Sequence, residues 1–291
     1  MSWRTVVVSS RCKLDLKMGY MVVRGEDIRR IYLDEIALLM IENPAVSMTG
    51  CLLSALMEHK VKVIFCDGTH NPQAELLPYY GCHDTSRKIH RQIAWPEEIA
   101  GAVWTAIVSE KIVNQAKFLR ETGNAEEGLM LEQYVAQMEF RDASNREGHA
   151  AKVYFNALFG KSFTRSSETP VNAALNYGYS VLLAAFNREI AANGYLTQLG
   201  LHHGNVFNPF NLSSDLMEPF RPLVDKAVYT AMPSSFDKDI KRALYNLLNQ
   251  QITIDGSSQT VLNAISIYAK SVFTAMNDLD PCLIKFWSDE L

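Results

Sequence analysis

The periodicity of apolar residues changes character near residue 85, and this change most constrains the fold. Before it, apolar residues come in short β-branched or alternating runs. These are Thr5–Ser9, Leu14–Arg24 (broken at Gly19), Arg29–Tyr32, Ile36–Ile41 and Val61–Cys66. Close-spaced short strands of this kind predict a compact sandwich. One helix interrupts them, over Leu52–His59, with Thr49 as its cap. Residues 67–84 carry Asp67-Gly68, Asn71-Pro72 and Gly81-Cys82, which is turn chemistry and marks a linker. From 85 onward the helical period takes over. Arg87–Ile93 is short and basic, and Pro96 starts a long amphipathic helix over Glu97–Arg120. Further helices follow over Glu126–Phe140, from Ser144, and from Thr169-Pro170 to a stop at Asn193-Gly194, with more after 216 and a turn at Asp255-Gly256. The expectation is an α+β chain. Residues 1–84 form a β-sandwich-like domain with its linker, and residues 85–291 form an all-helical domain.

Several function classes fall away on composition. Hydrophobic residues make up 48% of the 291, so the chain is globular. No apolar run reaches membrane-spanning length, and the N-terminus has no signal-peptide pattern. The five cysteines are scattered without Cys-x-x-Cys spacing, which argues against a zinc cluster or a disulfide framework. A cytoplasmic location and no membrane partner are expected. A formal net charge of −4 excludes indiscriminate coating of nucleic acid. A local basic channel remains compatible with it.

The stretch Tyr195–Asp225 concentrates the chemistry. His202 and His203 sit on a Gly/Asn-flanked loop, and a helix start follows with Asp215 and Glu218. The two acids are three apart and share a helical face. Imidazole plus carboxylates suits a divalent cation of the Mg/Mn class. The plainer alternative makes Asp215 a helix cap, Glu218 its capping-box partner and the histidines loop hydrogen-bonders. Glu147 is similarly double-valued. Ser144-Asn-Arg-Glu147 has capping-box form, yet Glu147 shares a face with Ala150, Ala151 and Tyr154, so a metal or an arginine would have to meet its charge. His70 and His83 read as solvated loop histidines.

Four segments, in order, resemble one family: Lys111-Ile-Val-Asn-Gln115, Arg146-Glu-Gly-His-Ala-Ala-Lys-Val-Tyr-Phe155, Asn172-Ala-Ala-Leu-Asn-Tyr-Gly-Tyr179, and Leu199-Gly-Leu-His-His203 leading into Asp215-Leu-Met-Glu-Pro-Phe-Arg221. The chain resembles the CRISPR-associated integrase, the catalytic subunit of spacer acquisition, and most nearly its type II branch. The turn Ser166-Ser-Glu-Thr-Pro170 departs from the aspartate-rich turn that relatives often carry there.

The resemblance implies a metal-dependent DNA endonuclease and integrase that inserts captured fragments into a CRISPR array. It implies Mg²⁺ or Mn²⁺ held by Glu147, His203 and Glu218. His203 is preferred to His202 because the family's ligand lies fifteen residues before the second acid, as His203 does before Glu218. Asp215 and His202 become neighbours of the site, and Tyr154, Asn172 and Asn176 are candidates to line it. DNA is expected to touch some of Arg87, Lys88, Arg91, Lys111, Lys117, Arg120 and Arg146. The implied partners are double-stranded DNA (prespacer and CRISPR repeat), a second copy of the chain, and a small second spacer-acquisition protein in a heterohexamer. A DNA-clamp protein and an effector nuclease join them in the type II branch. A general metal-dependent DNA nuclease and a non-enzymatic helical adaptor are the alternatives.

Overall fold

The computed structural model describes residues 4–69, 71–76 and 82–288. His70 and Gly81 lie outside the described residues. The N-terminal part holds two four-stranded sheets. The first has the order β1 (Arg4–Val8), β5 (Ile36–Ile41), β7 (Lys62–Cys66) and β8 (Pro72–Leu76). Its first three strands are parallel, and β8 runs antiparallel to β7. The second has the order β4 (Ile28–Tyr32), β3 (Tyr20–Arg24), β2 (Lys13–Lys17) and β6 (Ser47–Met48). Gly19 does not merely break the Leu14–Arg24 run. Met18 and Gly19 take φ of 52° and 77° and close a two-residue hairpin pairing Lys17 with Tyr20. Helix α1 (Gly50–Glu58) is capped as expected, the Thr49 hydroxyl accepting from the Leu52 N–H at 3.3 Å.

Strand β5 explains how this part meets the rest. All six of its residues are buried. Ile36, Leu39 and Ile41 pack into the core between the sheets, while Ala37, Leu38 and Met40 join the core formed by the helices. A strand covered on both faces must be apolar throughout, which is why this run shows no alternation. Each fully buried leucine here contributes about 2 kcal/mol of transfer free energy.

The helices are α2 (Thr85–Ile93), α3 (Glu97–Glu121), α4 (Ala125–Ala136), α5 (Arg146–Phe159), α6 (Pro170–Ala192), α7 (Asn211–Leu216), α8 (Arg221–Ala231), α9 (Lys238–Asn246) and α10 (Val261–Asp278). Helix α6 starts as its sequence predicts, Pro170 in its first turn and the Thr169 hydroxyl accepting from the Asn172 N–H at 3.2 Å. Among the described residues no helix is long and apolar enough to cross a membrane.

Two expectations need correction. Residues 67–84 are not all loop: β8 pairs with β7, its Pro72 placed at the strand's start where a missing N–H is tolerated. Nor is the C-terminal part all helical. Strands β9 (Gln251–Ile254), β10 (Ser257–Thr260) and β11 (Trp287–Ser288) form a three-stranded sheet. Its hairpin turns at Asp255-Gly256, with φ of 52° and 70°. The turn is legible in sequence; four-residue strands are too short for a clear alternation.

Candidate metal centre

Helix α3 crosses the molecule's centre and delivers Lys111, which is 7% exposed, to the site. Its ammonium lies 2.5 Å from Oε1 of Glu147 and 2.5 Å from Oε2 of Glu218. Glu147 stands in the first turn of α5. Glu218 opens a 3₁₀ turn, Glu218–Phe220, between α7 and α8. Its other oxygen, Oε1, accepts from Arg221 Nε at 2.8 Å. Three elements distant in sequence thus bring two carboxylates together around one buried cation.

The electrostatics follow from burial and pairing. Burial works against the Lys111 ammonium, but attraction from Glu218 and Glu147 outweighs it and holds the pKa above the ordinary lysine value. Burial would likewise raise the Glu218 carboxyl, but Arg221 and then Lys111 outweigh it and hold the pKa below the usual range. Glu218 Oε2 is buried, and the Lys111 ammonium meets its charge.

The helix-cap readings of the acidic residues fail. Helix α5 is capped by Asp142, whose two oxygens accept from the N–H groups of Arg146 and Glu147 at 2.6 and 3.0 Å. Ser144 forms no box with Glu147; its hydroxyl is buried without a partner. Asp215 does not start a helix. It sits in the last turn of α7, wholly buried, and reaches back to the histidine loop. Its Oδ2 accepts from the N–H groups of Leu201 and His202 at 2.6 and 3.0 Å, and its Oδ1 from that of His203 at 3.2 Å. The Nδ1 edge of His203 also pairs with Oδ1. This pairing raises the His203 pKa against the opposing effect of burial, and the charges of Glu218 and Glu147 add to it.

Gly200 lets the loop wrap the carboxylate. A Cβ there would collide with the His203 carbonyl oxygen and lie 2.7 Å from Asp215 Oδ2. The adjacent histidines diverge as consecutive loop residues should. The His202 ring stacks flat on Trp104, centroids 4.4 Å apart and planes 4° apart. The His203 ring meets the same indole edge-on at 5.6 Å. Beside them an open groove of about 940 Å³ runs past Gln92, Trp95 and Arg141, and the exposed Val206 and Phe207 stand on its rim.

The other candidates separate. Lys111 is buried between carboxylates, so it is not a surface DNA contact; its place in the middle of a central helix overrides the polarity of its side chain. Lys88 lies 3.2 Å from both Cys82 Sγ and Asp84 Oδ1, and Arg87 pairs with Asp84. Cys82, His83 and Asp84 bring ligand atoms within 4.8 Å of one another, and Lys88 lies against two of them. Arg91 is exposed, and Lys117 is half-buried. Arg120 pairs with Glu132 at 2.5 Å, and the Arg146 guanidinium lies 5.5 Å over the Tyr134 ring.

Tyr154, Asn172 and Asn176 do not line the carboxylate cluster. Tyr154 is buried facing Asp225, and both asparagines hold Arg165, at 2.5 and 2.7 Å. Sequence reading passed over Arg221, Asp142 and Trp104. Only Arg221, three residues after Glu218, carried a local signal.

The model of "CRISPR associated protein Cas1" matches residues 5–242. The chain belongs to the Cas1 family. It is 36% identical over 285 residues to the CRISPR-associated endonuclease Cas1 of Neisseria meningitidis serogroup C, covering 96% of this chain and 93% of that one. Among solved structures, a casposase bound to integration product aligns with a TM-score of 0.74 at 17% identity, over 96% of this chain and 92% of its own. A chain of a Cas6-RT-Cas1–Cas2 complex aligns with a TM-score of 0.75 at 19% identity; it covers 99% of this chain, which spans 36% of that longer one. At these identities the structures share the α+β Cas1-like fold.

Proposed function

We propose that this Cas1 chain is a divalent-metal-dependent DNA integrase and endonuclease that inserts captured DNA fragments as new spacers into a CRISPR array. The 3′-hydroxyl of the fragment attacks a phosphodiester at the repeat edge, and the displaced 3′-oxygen leaves. One phosphodiester replaces another, so no nucleotide hydrolysis is needed. Glu147, His203 and Glu218 are the proposed ligands of Mg²⁺ or Mn²⁺.

The observation that carries this reading is the meeting of Glu147 and Glu218 within 2.5 Å of one buried positive charge. The donor set fits a divalent cation. Two carboxylates, Glu147 and Glu218, share one ammonium, and the Asp215 carboxylate holds Nδ1 of His203, which leaves Nε2 as the nitrogen that would ligate. A cation bound there would act as Lewis acid and template for phosphate oxygens. The chain's own residues prepare the rest. Arg221 fixes the rotamer of Glu218, Asp142 anchors the turn that presents Glu147, and Asp215 sets the tautomer and direction of His203.

We further propose the type II branch, on the four segments above, and residues 1–84 and 85–291 as the domains. A homodimer would form through the first, and a small Cas2-type partner would complete a heterohexamer. DNA would run over α2 and its exposed Arg87 and Arg91. The test supplies a 3′-hydroxyl duplex, the small partner and a supercoiled CRISPR plasmid. Covalent joining at the repeat boundary is the expected product. Nicking without joining would favour a general nuclease, and absence of Mn²⁺ binding in calorimetry an adaptor.

A further inference from the structure

Lys111 reaches the site from the middle of α3, with almost no exposed surface. Its ammonium contacts Glu147 Oε1 and Glu218 Oε2, while Arg221 takes the remaining oxygen of Glu218. Two negative charges are therefore matched by two positive ones before any metal arrives. A buried carboxylate without such a partner would be costly. Glu147 Oε1 and Glu218 Oε2 lie 2.5 Å from the same ammonium, so a divalent ion held by these two carboxylates would compete with Lys111 for them.

We propose that Lys111 is the internal counter-cation of the Glu147–Glu218 pair, keeping the metal-free site folded and competing with the divalent ion for it. The inference rests on the reading of these carboxylates as metal ligands. Its consequence is that occupancy has a threshold. At low divalent-ion concentration the ammonium holds the carboxylates in place and the site stays folded but idle. Burial also denies this ammonium the route to solvent that a phosphate-binding lysine requires.

The test compares full-length wild type, Lys111→Met and the double variant Lys111→Met/Glu147→Gln. Thermal unfolding is followed in EDTA and in saturating Mn²⁺, and Mn²⁺ is titrated calorimetrically into wild type and Lys111→Met. In EDTA, Lys111→Met should lose about 5–10 °C in Tm. Mn²⁺ should raise its Tm by more than it raises that of wild type, and Lys111→Met should bind Mn²⁺ at least ~10-fold more tightly, because no ammonium has to leave. The double variant removes one charge of each sign and should regain most of the EDTA stability. An unchanged Tm for Lys111→Met in EDTA, or Mn²⁺ binding no tighter than wild type, overturns the proposal. If Lys111→Met alone does not fold, a double variant that also fails to fold overturns it, since the lysine's role would then be packing. Wild type that binds no Mn²⁺ refutes the ligand assignment instead, and the EDTA comparison still decides whether Lys111 neutralises the pair.

Discussion

His203 and Asp215, twelve residues apart, are joined twice: the Asp215 Oδ1 atom takes both the backbone N–H and the Nδ1 edge of His203. A fully buried carboxylate thereby fixes one imidazole nitrogen and with it the tautomer of the ring. His202 has only the backbone link, and its ring is spent on Trp104.

The two histidines should therefore respond differently to truncation. His203→Ala is expected to abolish most metal-dependent joining and to weaken Mn²⁺ binding by about 10–100-fold. His202→Ala loses a stacking contact worth about 1 kcal/mol and should retain most joining activity. Joining rates and Mn²⁺ titrations of both variants check this. An inactive His202→Ala beside a metal-responsive His203→Ala would move the ligand by one residue.

The two glutamates should differ in stability although both matter for activity. Glu147→Gln and Glu218→Gln should each abolish joining. Glu218 is buried between Lys111 and Arg221, so its neutral variant leaves two cations facing one carboxylate and should cost about 3–5 kcal/mol. Glu147 is partly exposed, and its loss should cost about 1 kcal/mol. Urea denaturation in EDTA separates them, and equal costs would contradict the charge arrangement described here.

Gly200→Ala should act through the loop that carries the proposed ligand His203. The added methyl cannot coexist with the His203 carbonyl and Asp215 Oδ2 unless the loop withdraws. Mn²⁺ affinity should fall at least ~10-fold with little change in the far-ultraviolet circular dichroism. Unchanged affinity would show that the loop tolerates the shift.

Asp225 supplies a pH signature of stability. Burial pushes its carboxyl up to about 6, against the hydrogen bond from Tyr179, the neighbouring Tyr154 hydroxyl and the pull of Arg221. The folded state thus holds a proton that the unfolded state, titrating near 3.8, gives up first. Between those values the folded chain binds more protons, so stability falls as pH rises toward 6 and is level above it. Asp225→Asn lacks this loss. Relative to wild type it should gain about 2–3 kcal/mol between pH 4 and pH 7.5 in denaturant titrations. Parallel pH profiles would refute the assignment.

The sequence made some of this legible and hid the rest for physical reasons. Local codes were readable: the Thr49 and Thr169 caps, Pro170 opening α6, the switch from short strands to helices. The proposed ligand triplet rests on the resemblance to the family, because Glu147, His203 and Glu218 lie on separate elements and share no local period. The partners of those residues were hidden for the same reason. Nothing near Lys111 shows that a carboxylate 107 residues away will bury it, and Trp104 carries no local mark of the ring that stacks on it. Asp142 displaced Ser144 as a cap because the chain takes left-handed φ at Arg141, Asp142 and Asn145, a turn no capping pattern foretells.

Strand β5 has no solvent side, and its two faces belong to different cores. Close-packed interiors transmit displacement rather than absorb it. A partner gripping the N-terminal sheets would therefore hold the carboxylate cluster at a fixed offset, as a rigid mount holds a tool. Were two chains joined through those sheets, the distance between their reaction centres would be set by protein geometry before any DNA arrived. The length of fragment they could insert would then be measured by a ruler, and this strand would be part of it.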